Sequence, residues 1–94
     1  MRVIRSFRSK DAELIFKGRN SKRFSKLVYV IERKLMQIHA AVSLSDIAIF
    51  PGNRLEALKG DRSGQHSIRI NDQYRICFVW REGDAYEVVI VDYH

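Results

Sequence analysis

Cysteine is all but missing from this chain: Cys77 is the one thiol in 94 residues. No disulfide can form within it, and a single thiol inside an apolar strand pattern suits a reducing compartment. Metal-binding clusters are missing as well. His39, His66 and His94 are scattered, which argues against a structural zinc site and leaves no metal or cofactor to name. The longest apolar runs, residues 27–31 and 88–91, are far too short to span a bilayer. Residues 1–5 carry charge where a secretory segment needs an apolar stretch, so the expected location is the cytoplasm, with no membrane partner. There is no nucleophile elbow, P-loop or dinucleotide fingerprint, and no repeat, low-complexity tract or interdomain linker. Acidic residues are in deficit, 11 against 17 Lys and Arg. The resulting net charge of +6 favours anionic partners, nucleic acid or an acidic protein.

What remains is enough for one small folded domain over residues 1–94, with 46% hydrophobic residues and room for one core. Its most informative stretch is 67–94. Residues 67–70, 74–80 and 86–91 are rich in β-branched and aromatic side chains and are separated by turn formers. Asn71-Asp72-Gln73 and Arg81-Glu82-Gly83 read as three-residue loops, the second with Gly83 in the left-handed position. That choice pairs Ile70 with Tyr74, Ile68 with Ile76, Trp80 with Asp84, Phe78 with Tyr86 and Ile76 with Val88. A two-residue first loop would set Ile68 opposite Arg75, and the apolar pattern rejects it.

One face is then apolar, with Ile68, Ile70, Tyr74, Ile76, Phe78, Val88 and Ile90. On the other, Arg69 falls opposite Arg75, beside Ser67, Cys77, Glu87 and Tyr93. Like charges directly opposite each other are unfavourable, by a few tenths of a kcal/mol or so. Either Glu87 and another acid neutralise them on a solvated face, or an anion comes to meet them.

Upstream, residues 2–7 alternate as a short first strand. A helix over about 10–17 ends at Gly18, with Asp11 and Glu13 in its first turn. A second, opened by Ser21 as N-cap, runs to about Ala41. Phe24, Leu27, Val28, Ile31, Leu35, Ile38 and Val42 form its core stripe. Lys22, Lys26, Arg33 and Lys34 lie off that stripe, as a solvated face or a flank touching RNA, and His39 is a helix-surface histidine. Ser43 to Asp46 forms a capping box for one short helical turn. Pro51-Gly52-Asn53 breaks the chain, residues 54–58 form a strand, and 59–64 a loop. The order β-α-α-(short α)-β-β-β-β predicts an α+β domain. Two N-terminal helices pack on one face of a mostly antiparallel, twisted sheet of four to five strands, and the other face stays open.

That open face has the makings of a metal-free RNA-cleaving site. Such chemistry needs a base for a 2′-hydroxyl, cations for the phosphorane and an acid for the leaving 5′-oxygen. Arg75, Arg69 and Lys59 offer the charge; His94, Tyr93 or Glu56 offer proton transfer. The bland alternative for His94 is a solvated tail residue.

Four stretches, in order, resemble the HigB toxins, the plasmid-maintenance killer proteins of the RelE/ParE superfamily. They are Leu58-Lys59-Gly60-Asp61, residues 67–78, Gly83-Asp84-Ala85-Tyr86 and the closing Asp92-Tyr93-His94. The resemblance runs over essentially the whole chain. It implies a RelE-like fold and a ribosome-dependent endoribonuclease, an mRNA interferase that cuts messages in the ribosomal A site. It implies metal-free attack by the 2′-hydroxyl. It implies as partners the 70S ribosome, mRNA and a HigA-type helix-turn-helix antitoxin, with operator DNA reached only through that antitoxin. By the same resemblance Lys59 and Arg75 hold phosphate, Tyr93 stacks on or orients a base, and His94 is the leading acid/base with Asp92 beside it. The chain also departs from the pattern. Glu56 stands where some members have His, and Asn71 where some have Arg, with Arg69 near enough to the same rim to restore that cation. Two other readings compete: a gyrase inhibitor of the ParE kind, which binds without chemistry, and a basic binding module.

Overall fold

The computed structural model describes residues 4–92. Helix α1 spans Lys10–Phe16. Ser9 caps it by accepting the Ala12 N–H at 3.2 Å, and the acids Asp11 and Glu13 sit in its first turn, at the positive end of the helix dipole. It ends at Gly18, whose φ of 81° lets the Arg19 N–H turn back to the Leu14 carbonyl.

Helix α2 spans Val28–Ala40, so it begins later than Ser21. Ser21 is not its cap; the hydroxyl donates to Asp11 Oδ1 at 2.7 Å and ties the intervening loop to α1. A 3-10 turn, Ser25–Leu27, leads into α2 instead. Ile31, Leu35 and Ile38 are fully buried, as the stripe requires, but Val42 is exposed. The helix stops at Ala40, Ala41 turns extended, and Ala41 takes the buried position. Helix α3, Leu44–Ala48, carries the expected capping box, with the Asp46 carboxylate accepting the Ser43 N–H at 3.1 Å.

The sheet has four strands in the order β1-β2-β3-β4: Glu56–Ala57, Gln65–Arg69, Tyr74–Arg81 and Asp84–Asp92, each antiparallel to the next. The expected strand at 54–58 shrinks to two paired residues. The expected first strand reduces, among the described residues, to isolated parallel bridges from Ile4 to Ala85 and from Phe7 to Val88 on the free edge of β4. Helices α1 and α2 share one core with Ile68, Ile76, Phe78, Val88 and Ile90.

The β2–β3 hairpin has the predicted three-residue loop, with Ile68 opposite Ile76 and Arg69 opposite Arg75. The β3–β4 hairpin does not. Arg81 pairs with Asp84, so its turn is the two residues Glu82 and Gly83, at φ 52° and 82°. Two successive positive φ values make a type I′ turn. Alone, this turn would slip the register by one and drive Val88 and Ile90 out of the core. A bulge corrects it. Between Cys77 and Val79 strand β4 carries an extra residue, Glu87 has φ 53°, and Ile76 ends opposite Ile90. The predicted pairs Trp80–Asp84, Phe78–Tyr86 and Ile76–Val88 are therefore replaced, while Val88 and Ile90 keep their predicted inward face.

Candidate active site

The second face of the sheet is not open at its centre. Ser67 and Cys77 are fully buried and Arg75 is nearly so. The cover comes from the irregular segment between α3 and β2. Arg54 turns its carbonyl onto Arg75, Glu56 lies across from Ser67 in the β1–β2 register, and Arg62 reaches Cys77. Burial pushes the Cys77 thiol up, and the Arg62 and Arg75 charges pull it partly back.

Arg75 is the centre of the site. Its Nε donates to Ser67 Oγ at 2.9 Å, and Nη2 donates to the Arg54 carbonyl at 2.7 Å and the Ser67 carbonyl at 3.3 Å. Glu56 Oε1 stands 3.6 Å from the same Nη2. Glu56 is half exposed, so this carboxylate faces both the guanidinium and solvent. The cation is thus held by neutral oxygens, with a carboxylate beside it.

Arg69, opposite Arg75, is paired with Asp72. Each arginine has an acid at hand, Asp72 and Glu56, but the solvated-face expectation does not hold as made: Arg75 is nearly buried, and Glu87 sits exposed at the bulge, its N–H on Ser6 Oγ. Lys59 is exposed at the entry to the turn Gly60–Arg62. Asn71 has its side-chain oxygen committed to the loop, where it accepts the Gln73 and Tyr74 N–H groups at 2.9 and 2.8 Å. Asp92 lies opposite Tyr74 and accepts from Gln73 Nε2 at 3.1 Å. Tyr93 and His94 lie outside the described residues.

The sequence reading missed the polar groups behind Arg75. Lys34 is buried, against the expectation that it lies off the stripe, and its Nζ donates to Asn53 Oδ1 at 2.7 Å. Burial, then the charges of Arg33, Arg69 and Arg75, lower its pKa. The spacing had signalled this: Lys34 stands three residues after Ile31 and four before Ile38, on the core side of the helix. Its charge argued for solvent, and a partner distant in sequence overrode the charge. His39 is likewise no free surface residue; its Nδ1 accepts the Ile4 N–H at 3.5 Å, and its ring meets Phe16 edge-on.

Among the described residues no group of three or more His, Cys, Asp or Glu side chains is placed to hold a metal ion, and no helix is long and apolar enough to cross a membrane.

Known proteins resemble this chain at three levels. A curated relative, Endoribonuclease HigB of Proteus vulgaris, is 36% identical over 95 residues, covering 98% of this chain and all of the relative. Toxin HigB-1 of Vibrio cholerae is 51% identical over 53 residues; that match spans 56% of each chain, about half the relative's length. Among solved structures, the YoeB dimer from Staphylococcus aureus aligns over 98% of both chains with a TM-score of 0.54 at 19% identity, a likeness of fold. A family model described as the RelE-like toxin of type II toxin-antitoxin system HigB matches residues 5–94. With that match over nearly the whole sequence, and a full-length relative well above 30% identity, the chain belongs to the HigB-like toxins, the RelE-like toxins of type II toxin–antitoxin systems.

Proposed function

We propose that this toxin is an endoribonuclease that cuts mRNA in the ribosomal A site and is neutralised by a HigA-type antitoxin with a helix-turn-helix domain. The observation that carries the chemistry is the Arg75 guanidinium, clamped by Ser67 and Arg54 with the Glu56 carboxylate 3.6 Å away. A fixed cation beside a proton acceptor is what cleavage by an internal nucleophile requires. The full-length Proteus relative bears the name of an endoribonuclease, and that supports the same reading. In the reaction the 2′-oxygen attacks phosphorus as a base removes its proton. The P–O5′ bond breaks, and an acid protonates the departing oxygen. The products are a cyclic phosphate and a 5′-hydroxyl. Arg75, with Arg69 and Lys59, stabilises the phosphorane. Glu56 and His94 share the proton transfers, Tyr93 orients the base, and Asp92 supports the pair that follows it.

The test is a primer-extension map of message 5′ ends with purified protein, with and without programmed ribosomes. Cuts within A-site codons only when ribosomes are present, reduced on the order of 100-fold by Arg75→Ala, are the expected result. Uncut message together with inhibited DNA supercoiling would move the chain to the gyrase-binding reading.

A further inference from the structure

A polar chain runs from α2 to Arg75 through the interior. Asn53 is fully buried, and every group of its side-chain amide is engaged. Oδ1 accepts from Lys34 Nζ at 2.7 Å, while Nδ2 donates to Gln37 Oε1 at 3.0 Å and to the Ile47 carbonyl at 3.1 Å. Asn53 is thereby held by α2 and α3 together. Its neighbour Arg54 has φ 45° and ψ 57°, a left-handed conformation that a non-glycine residue adopts at a cost. In that conformation its carbonyl meets Arg75 Nη2 at 2.7 Å. A strained backbone next to a charged group, pinned by a fully satisfied buried amide, is a device for holding one geometry.

We propose that Asn53 is a positioning residue for RNA cleavage. By locking the Arg54 carbonyl it fixes, with Ser67, the plane of the Arg75 guanidinium. This rests on the reading of Arg75 as the cation that stabilises the phosphorane. Orientation matters because a guanidinium presents its N–H groups as a rigid planar fork, and a small misplacement of such a fork is costly in rate. The amide chemistry is required: a carboxylate at this position loses the two donors, and an apolar side chain loses all three bonds.

The experiment combines kinetics on programmed ribosomes with the Arg75 Nε–Hε resonance of the free protein. Asn53→Ala is expected to lower kcat about tenfold with little change in KM. It is also expected to shift or broaden the Arg75 signal, because the guanidinium is no longer held. Added to Arg75→Ala it is expected to cost nothing more, since it acts through Arg75. If the two losses multiply, or the Arg75 signal is unmoved, the positioning role is wrong. If Arg75→Ala retains full activity, the site reading itself fails, and the proposal with it. Should Asn53→Ala not fold, Asn53→Asp serves the same comparison, for it keeps the Lys34 acceptor and removes the donors to Gln37 and Ile47.

Discussion

His66 shows how a single side chain couples this fold to pH. It pairs with Phe78 across β2 and β3, its ring lies roughly parallel to that of Phe78, and its buried Nδ1 has no partner among the described residues. Burial lowers its pKa below the ordinary histidine value. The unfolded chain therefore takes up the proton first as pH falls. Between about 6.5 and the lower folded value, the unfolded state binds more protons, so stability falls with acidification. His66→Phe removes both the titration and the orphaned nitrogen. Thermal melts from pH 7 to 5 are expected to show the melting temperature of the parent falling below pH 6.5 and that of the variant falling less. Parallel curves would exclude His66 as the source. Lys34 obeys the same rule below 10.5. Its folded pKa is lowered, so the parent gains stability as pH rises from that folded value toward 10.5, and Lys34→Met is expected to lose that gain.

The β3–β4 hairpin is the element whose details escaped the sequence. Glu82 occupies the first central position of a type I′ turn, where asparagine or glycine is favoured because φ is positive. Glu82→Asn is expected to stabilise the protein by about 0.5–1 kcal/mol, raising the melting temperature by a few degrees, roughly 2–8 °C. An unchanged melting temperature would mean that Glu82 makes a compensating contact. The Glu82-Gly83 signal was ambiguous, since Gly83 suits both a three-residue loop and this turn. The bulge was invisible because Glu87 adopts φ 53° with no glycine to announce it. The faces were nonetheless legible, because burial of Val88 and Ile90 demanded that something restore the alternation. The β2–β3 juxtaposition of Arg69 and Arg75 was legible for the same reason, through Ile68 and Ile76. What covers Ser67 and Cys77 was not. Residues 54–62 form almost no regular structure, so no periodicity reported that they fold over the sheet, and Asn53 read only as part of a chain break.

At the scale of the molecule, the +6 charge sets how the site meets a polyanion. A net charge attracts RNA from any direction, whereas a site attracts it at particular phosphates, and salt separates the two. Each phosphate neutralised on single-stranded RNA releases counterions and contributes about −0.7 to the slope of log K against log salt concentration. Arg69 is opposite Arg75 in the sheet and partly exposed, and Lys59 is exposed in the loop after β1. Arg81 lies at the far end of β3, with its guanidinium over the Tyr86 ring at 4.7 Å. Replacing any of the three by alanine removes the same charge. If phosphate is held at the site, Arg69→Ala and Lys59→Ala are each expected to make the slope shallower by about 0.7, while Arg81→Ala leaves it nearly unchanged. Titrations of programmed ribosomes at several salt concentrations would decide this. Equal effects from all three variants would mean that overall charge, and not the face built around Arg75, governs binding.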